Sequence, residues 1–346
     1  MSFIISGQFA KSFARAGPNT CKNGYRLLSV LSSTQLSNLN DWSETVKKPS
    51  SALHITDDLS YSKLSDLFCT LPTRDVDPYD FQKTFGQLED ANSKLGLPPL
   101  HTLAYFYPRT PETHLGADQT DRAFCPPEPF TRRMWAGGSF RFAPDAGLRV
   151  GAPATAHFKV AQVEKKGLET EQSDVNKKGS PMVFVHQKIE YEQNQRIALE
   201  EERIHVYLPQ EARANLRSVR EVSGLPNPDY TFSWVPTATT LFRFSAITWN
   251  GHLIHLDPEF PQKVEGYPER LVHGPLTALM LVEALYHTNK DIAKRKISKY
   301  TYRARNPTVV GQLQNVRGAF TSPNRAIVWS DNGNGSVGMT GEVEFY

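Results

Sequence analysis

The sequence predicts an α+β protein with two domains, each built on an antiparallel sheet. The chain has 346 residues, which is enough for two domains of ordinary size. Several segments alternate apolar and polar residues, as strands with one buried face do. Residues 275–286 are almost continuously apolar, which is typical of a helix buried on all sides by a surrounding sheet.

The predicted elements fall into two groups separated by a linker. Residues 209–240 contain Pro, Gly, Asn and Asp without clear periodicity, and this predicts a linker between a first domain at 60–208 and a second at 241–346. Short helices are expected within 59–71 and 79–95. The predicted strands are 139–142, 154–163, 182–191 and 196–208 in the first domain, and 240–248, 297–304, 325–330 and 336–345 in the second.

Composition excludes several classes of protein. The hydrophobic fraction is 39%, the charged fraction 22% and the net charge +3, so a nucleic-acid binder with clustered basic stripes is not expected. No apolar run approaches the roughly 18 residues of a membrane-spanning helix. The three cysteines are scattered, which favours reduced thiols over disulfides or a zinc site.

The first 40 residues have the composition of a targeting segment. They contain no Asp or Glu, many serines, and the cations Lys11, Arg15, Lys22 and Arg26. A basic, Ser-rich and acid-free N-terminus is typical of a mitochondrial transit peptide, and this predicts the mitochondrial matrix as the location. The alternative is a disordered leader without a targeting role.

Polar residues gather just before the predicted apolar helix. The predicted strand 240–248 is followed by Asn250, His252 and His255, and a second loop brings His273 and Gly274 to the helix start. A neutral imidazole exchanges protons near pH 7. Free backbone N–H groups at a helix start can stabilise negative charge on a thioester oxygen. An Asn250 amide could orient water.

Each histidine alone is as compatible with a loop or surface role as with catalysis. His252, His255 and His273 together also resemble a metal cluster, but no Asp, Glu or Cys completes a standard ligand spacing. We therefore predict neither a metal nor a cofactor, and spacing alone leaves catalysis and a bland structural role equally open.

The same stretch resembles the MaoC-like acyl-thioester dehydratase and hydratase family. That family carries an Asp, a His five residues later, and a His-Gly at the start of the central helix. The resemblance implies that His255 is the catalytic His and that the Gly274 N–H binds the thioester oxygen. Asn250 stands at the Asp position. The segment from Ser245 to Asp257 is similar to the branch of mitochondrial 3-hydroxyacyl-thioester dehydratases type 2, which usually has Asn there.

The first half carries further residues of this resemblance. They are Tyr105-Phe106, Leu115-Gly116-Ala-Asp118 and the segment 132–138. The resemblance implies a double hotdog fold, two antiparallel sheets each wrapping a central helix, with one active site in the second domain. The first domain would be non-catalytic and shape the acyl tunnel. Direct substrate contact by Arg132, Arg133 and Trp135 is the alternative to a structural role.

Other polar residues are candidates for binding substrate. We expect His252, Tyr267, Arg270 and His273 to contact it. The cations Lys263, Arg270, Arg303 and Arg305 could meet the phosphates of coenzyme A or of a carrier protein's phosphopantetheine, although solvated strand faces also explain such charges. Glu283, the lone acid of the apolar helix, could be catalytic or simply bonded to a neighbour.

The expected function is a hydro-lyase that interconverts (3R)-hydroxyacyl and trans-2-enoyl thioesters in mitochondrial fatty acid synthesis. One alternative is a hydratase of short branched or dicarboxylic C4 or C5 acyl-CoA, which an extra cation in the acyl pocket would support. A second is a catalytically silent thioester-binding protein, and a weaker third is a thioesterase. The expected partner is an acyl-CoA or acyl carrier protein thioester, with no nucleic acid, no integral membrane segment, and a homodimer as a possible assembly.

Overall fold

The computed structural model describes residues 31–74, 80, 95–168, 181–210 and 219–346. The helices of these residues are α1 (Ser33–Thr45), α2 (Tyr61–Phe68), α3 (Ala238–Ile247), α4 (Leu253–Leu256) and α5 (Gly274–Thr288). The strands are β1 (Leu53–Asp57), β2 (Arg132–Phe142), β3 (Ala154–Lys166), β4 (Met182–Gln193), β5 (Arg196–Leu208), β6 (Tyr230–Trp234), β7 (Ile297–Ala304), β8 (Gln314–Ser322), β9 (Arg325–Asp331) and β10 (Val337–Phe345).

The described strands form one antiparallel sheet that runs through both halves of the chain. The order is β1-β3-β4-β5-β2-β7-β10-β9-β8-β6. β1 to β5 belong to the first half and β6 to β10 to the second. The two halves meet where β2 pairs with β7, from Gly137 opposite Arg303 to Arg141 opposite Lys299. The predicted pair of sheets is therefore hydrogen-bonded edge to edge.

A glycine permits the close approach at this junction. A Cβ added to Gly138 would clash with the Glu202 carbonyl oxygen of β5 and lie 2.8 Å from the Tyr302 hydroxyl of β7. The backbone at this position is thus flanked by both neighbouring strands. Only a residue without a side chain fits between them.

The second sheet packs around α5, as the apolar run predicts. The segment from Leu276 to Leu285 is buried on every face of the helix, because β6, β8, β9 and β10 all pack against it. Pro275 stands in the first turn, where its missing N–H leaves no helical bond unmade. The predicted helix 275–286 is confirmed. In the first half, α2 buries Leu64 and Phe68 against Leu95 and Val150. The helix expected within 79–95 falls almost wholly outside the described residues.

The predicted strand 240–248 is wrong, because most of it is helix α3. Thr237 and Thr240 form a reciprocal capping box, with each hydroxyl accepting the other's backbone N–H at 3.2 Å. Leu241, Phe244 and Ser245 are buried, and this spacing of three and four residues places them on one helix face. The apolar residues of this segment fit a helical period as well as an alternating one.

Three strands were not predicted, and they move the predicted domain limits. β1 pairs with β3, so the first half begins before residue 60. β6 pairs with β8 and removes residues 230–234 from the predicted linker. β8 itself pairs with β9. β1 and β6 are short and pair with strands far away in sequence, whereas β8 does not follow a strict alternation of buried and exposed residues.

The end of the predicted leader is folded. α1 begins after Ser32, whose hydroxyl accepts the Gln35 N–H while the Gln35 side chain accepts the Ser32 N–H. Leu39 is buried with Val160 and Val183 of the first sheet. Residues 33–40 therefore belong to the first half, which corrects the predicted limit of 40. Residues 1–30 lie outside the described part of the chain. None of the described helices is long and apolar enough to cross a bilayer.

We expect Phe140→Ala to destabilise the junction of the two halves. Phe140 is fully buried and stacks on Tyr300 and Tyr302 of β7, with ring centroids 6.4 and 6.2 Å away. Removing a buried ring costs about 3–5 kcal/mol. Denaturant unfolding measures the loss, and Phe242→Ala, at a ring that is 63% exposed, is the matched control. Equal stability of the two variants would contradict a packed junction.

Candidate active site

A large cavity lies between the two halves. Its volume is about 1560 Å³, and its walls come from β2, β4 and β5 of the first half and from the α3–α4 loop, α4 and the start of α5 in the second. Of the predicted site residues, five border it: Asn250, His252, His255, Tyr267 and Gly274. The cavity is therefore a shared site, although all the predicted catalytic residues come from the second half.

His255 is held in one orientation and one tautomer. It lies on α4, and its Nδ1 is 2.8 Å from the Leu271 carbonyl oxygen. A carbonyl can only accept, so Nδ1 carries the proton and Nε2 keeps its lone pair. Burial lowers the pKa of His255 to about 4, the bond to Leu271 opposes this, and the Arg133 charge lowers it further. The ring is therefore neutral at pH 7 and can act as a base at Nε2.

His273 packs against His255 on the side away from the cavity. The two rings stack with centroids 3.6 Å apart, and His273 Nε2 is 2.8 Å from the Ser245 hydroxyl of α3. Burial, followed by the nearness of His255 and His252, holds its pKa well below the usual value. His273 is completely buried and does not border the cavity. The predicted substrate contact is therefore corrected to a packing role.

His252 connects the site to the first half. Its ring meets His255 edge to face at 5.5 Å, and its Nε2 is 3.6 Å from an Asp118 carboxylate oxygen. The Leu253 N–H also donates to the Asp118 carbonyl oxygen at 3.1 Å. Burial, His255 and Arg133 together hold the pKa of His252 well below its usual value. In the sequence, Asp118 stands out only as part of the motif Leu115-Gly-Ala-Asp. No local pattern predicts its contact with His252, because the two residues lie far apart along the chain.

Asn250 organises the loop that carries the histidines. Its side-chain oxygen accepts the His252 N–H at 3.1 Å, and its own N–H donates to the Ser245 carbonyl oxygen at 2.8 Å. The preceding residue, Trp249, has a left-handed backbone with φ of 52°. The Asn250 oxygen is thus used by the backbone, whereas its amide NH₂ remains available on the wall of the cavity.

Gly274 places a backbone N–H at the cavity. It is the first residue of α5, where N–H groups have no partner within the helix and the helix dipole favours negative charge. A Cβ here would lie 2.9 Å from the Trp135 Cβ of β2. Glycine is therefore required for the first sheet to approach the helix start. The arrangement can stabilise a developing oxyanion in the cavity that His255 also borders.

The other predicted binding residues divide into two groups. Tyr267 borders the cavity, with its hydroxyl 3.9 Å from Met134 Sδ. Arg270 bonds Glu269 at 2.9 Å, Lys263 pairs with Glu259, and neither borders the cavity. The prediction that these two cations meet a substrate is therefore corrected. Arg303 and Arg305 do border it, together with Arg220.

Of the two roles considered for Glu283, catalysis or a bond to a neighbouring side chain, the structure supports the bond. Its carboxylate accepts two bonds of 2.7 Å from Arg74 and one of 3.1 Å from the Thr73 hydroxyl, and it does not border the cavity. Burial alone would raise the pKa of Glu283, but Arg74, His101 and Thr73 bring it below the usual value. It is a paired anion inside the fold.

Comparison with known proteins identifies a family and relatives. The family described as hydroxyacyl-thioester dehydratase type 2 matches residues 100–310. Mesaconyl-C(4)-CoA hydratase of Chloroflexus aurantiacus is 37% identical over 200 residues, which are 57% of this chain and 67% of that protein. The mitochondrial hydroxyacyl-thioester dehydratase type 2 of Schizosaccharomyces pombe is 25% identical over 233 residues, which are 62% of this chain and 75% of the relative.

Solved structures support the same fold. A MaoC-like dehydratase from Phytophthora capsici has a TM-score of 0.59 at 14% identity and covers 85% of this chain and 95% of its own. The peroxisomal multifunctional enzyme type 2 of Drosophila melanogaster has a TM-score of 0.60 at 13% identity, and the match spans 91% of this chain but about half, 52%, of that longer one. The predicted α+β double hotdog fold is confirmed.

The buried histidines predict a stability that falls with acidification. Burial lowers the pKa of His101 and of His255 to about 4, and holds the pKa values of His205, His252 and His273 well below the usual one. In the unfolded chain these groups bind protons near pH 6.5. Between about pH 6.5 and 4 the unfolded state therefore binds more protons, and the free energy of unfolding decreases as the pH falls.

Denaturant titrations at pH 5, 6 and 7 measure this dependence. We expect His101→Gln to reduce the slope of stability against pH, whereas His114→Gln, at an exposed position, leaves it unchanged. Stability that stays constant or increases from pH 7 to 5 would contradict the buried neutral state of these rings.

Proposed function

Since the chain belongs to the hydroxyacyl-thioester dehydratase type 2 family, it is a hydro-lyase of acyl thioesters, and we propose that it interconverts (3R)-hydroxyacyl and trans-2-enoyl thioesters. One observation carries the proposed site: a neutral imidazole with a free Nε2 and an unpaired helix-start N–H border the same cavity. The reaction needs a base for the α-proton and a donor for the thioester oxygen, and His255 and Gly274 supply these two groups.

In dehydration, His255 Nε2 removes the proton from C2 of the 3-hydroxyacyl thioester. Negative charge moves onto the thioester oxygen, where the Gly274 N–H stabilises it. As the electrons return, the C2–C3 double bond forms and the C3–O bond breaks. His255 gives its proton to the departing hydroxyl, which leaves as water. Hydration follows the same path in reverse.

The amide at position 250 makes His255 the central proton carrier. An amide cannot take a proton from carbon, so one imidazole serves as base and then as acid. The Asn250 NH₂ group can donate to the departing or attacking water, while its oxygen keeps the loop in place. His252 contacts both His255 and Asp118. It lies on the same wall of the cavity and is a third polar side chain there, beside His255 and Asn250.

Three arginines of the cavity lining are candidates for binding the thioester carrier. Arg220, Arg303 and Arg305 border the cavity, and none forms an ion pair with a carboxylate of the described residues. Burial lowers the pKa of Arg305, and the charges of Arg303 and Arg220 lower it further. Arginines that repel one another without a local anion favour an external one. The phosphates of coenzyme A or of a carrier protein's phosphopantetheine have the required charge.

A second candidate differs only in the acyl group. The relative from Chloroflexus aurantiacus is named for a mesaconyl-C(4)-CoA substrate, which favours a short branched or dicarboxylic acyl-CoA over a fatty acyl chain. The fission-yeast relative is named a mitochondrial hydroxyacyl-thioester dehydratase, which favours a hydroxyacyl thioester substrate in mitochondria. Both candidates use the same reacting atoms and the same two catalytic groups.

We expect His255→Ala to reduce the hydration of an enoyl thioester by about 10²–10⁴-fold, because positioned acid–base groups contribute on that order. Loss of absorbance of the conjugated thioester measures the rate. His114→Ala, at an exposed histidine, is the matched control, and thermal unfolding establishes that both variants are folded. Near-normal turnover by His255→Ala would remove the catalytic role, and no turnover by the unaltered protein would favour a silent thioester-binding protein.

Asn250→Asp tests how added negative charge in the loop affects His255. The new carboxylate keeps an acceptor for the His252 N–H and adds negative charge near His255, whose pKa of about 4 should then increase. The neutral base is lost sooner as the pH falls, so the acid limb of kcat/KM moves to higher pH. Asn250→Ala, which removes the acceptor, should lose activity.

Asn324→Asp is the control for added charge, because Asn324 lies exposed in the β8–β9 turn. An Asn250→Ala enzyme as active as the unaltered one would mean that the side chain has no part in the site.

Residues 1–40 should direct a fluorescent reporter into mitochondria, because this segment is basic and free of acids. Imaging of the fusion measures its location. A matched fusion with Lys11→Glu and Arg15→Glu should remain in the cytosol, since it loses the cationic face. Uniform cytosolic fluorescence from the unaltered fusion would contradict the proposed location.

A further inference from the structure

Arg133 is a cation of the cavity wall that lacks a counterion. It lies on β2 opposite Tyr207 of β5 and borders the cavity. One hydrogen bond runs from its Nη1 to the Asp121 carbonyl oxygen at 3.5 Å, a length at which such a bond is weak, and a second links the guanidinium to the Tyr207 hydroxyl. The Tyr207 hydroxyl and the Cys125 thiol, which are also near, are neutral groups. No carboxylate of the described residues forms an ion pair with it.

Two other arginines on the same wall differ from Arg133 in this respect. Arg132 is bonded through two nitrogens to Glu265, and Arg203 is bonded through two nitrogens to both oxygens of Glu201. Each has a carboxylate of its own inside the protein. Asp118 does act on Arg133 electrostatically, but its carboxylate is bonded to Thr120 and faces His252.

Arg133 is half-buried, and the desolvation of a guanidinium partly withdrawn from water is incompletely offset when no carboxylate pairs with it. Arg133 lacks a paired carboxylate, and it lies on the wall of the cavity, where a ligand can reach it. An anion that enters the cavity and accepts hydrogen bonds from Arg133 would offset this cost of desolvation. A carboxylate suits this role because its two oxygens match the fork of guanidinium donors.

We propose that Arg133 binds a carboxylate carried by the acyl group, so that the preferred substrate is a short dicarboxylic 2-enoyl thioester or its hydrated product. This rests on the proposed hydro-lyase reaction and specifies its substrate class. The water still adds at C3 and the proton at C2, and the distal carboxylate remains unchanged throughout.

The position of Arg133 limits the length of the acyl group. Arg133 lines the same cavity as His255 and His252, and its charge lowers the pKa values of both rings. A carboxylate bound there is close to C2 and C3, as in a four- or five-carbon acyl group. The cavity is also lined by the polar side chains of Gln187, His205 and Arg203, beside apolar ones such as Phe158 and Phe184.

Two substrates of equal length separate charge from size. They are crotonyl-CoA and the analogue in which the terminal methyl group is replaced by a carboxylate. We expect the unaltered full-length protein to have the higher kcat/KM for the carboxylate, because an uncharged group leaves Arg133 unpaired. In Arg133→Gln the ratio of the two kcat/KM values should shift by at least about 100-fold toward crotonyl-CoA. Arg141→Gln, at an exposed arginine of the same strand, should keep the original ratio.

Two results would overturn the proposal. One is an unaltered protein that prefers crotonyl-CoA. The other is an Arg133→Gln variant that loses activity equally on both substrates, because Arg133 would then bind an atom common to all substrates, such as the thioester oxygen or the hydroxyl.

Binding of unreactive analogues tests the carboxylate site without turnover and without a variant. Calorimetry on the unaltered protein should give a Kd for succinyl-CoA at least about 10-fold lower than for butyryl-CoA, which has the same chain length. Equal affinities would overturn the carboxylate site. If neither enoyl thioester is hydrated but succinyl-CoA still binds more tightly, the reaction is wrong and the carboxylate site stands.

Discussion

The pairing of β2 with β7 is the constraint on which the site depends. These strands join the two halves into one sheet, and β2 carries Arg133 and Trp135 on the side that faces the start of α5. Trp135 closes against Gly274, while its indole N–H donates to the Tyr302 hydroxyl of β7 at 3.1 Å. The same strand thus anchors the junction and brings first-half residues to the helix start.

A second set of contacts fixes the loops that this pairing brings together. Arg132 bonds Glu265, from the loop before α5, within the buried contact between the halves. Asp118 contacts both His252 and the backbone of α4. The first half therefore positions the loop that carries His255 in addition to forming a wall. A half without a base of its own can in this way be required for the chemistry of the other half.

The sequence was informative wherever a local pattern decides the structure. The apolar run of α5 and the alternation in β3, β4 and β5 are local signals, and the predicted elements lie within a few residues of the observed ones. The sequence pattern of α3 is ambiguous because Leu241 and Phe244 fit both a helical and an alternating period, and only the cap at Thr237 favours the helix. His255, Asn250 and Gly274 were found because one motif contains them.

What escaped prediction depends on contacts between distant residues. Asp118 meets His252 across more than a hundred residues, and Arg133 differs from Arg132 only in where the carboxylates of other segments lie. The burial of His273 behind His255 follows from ring stacking that no spacing reveals. Tertiary pairing decides each of these, and a single sequence does not record it.

The cap at the start of α1 limits how far the N-terminus can be shortened. Ser32 and Gln35 close the first turn of this helix through two reciprocal bonds, and Leu39 is seated against Val160 and Val183. A protease that cut before residue 31 would leave the helix intact, whereas a cut within the first turn would expose apolar surface of β3 and β4. The capped first turn of α1 therefore sets the shortest chain that keeps this contact with the first sheet.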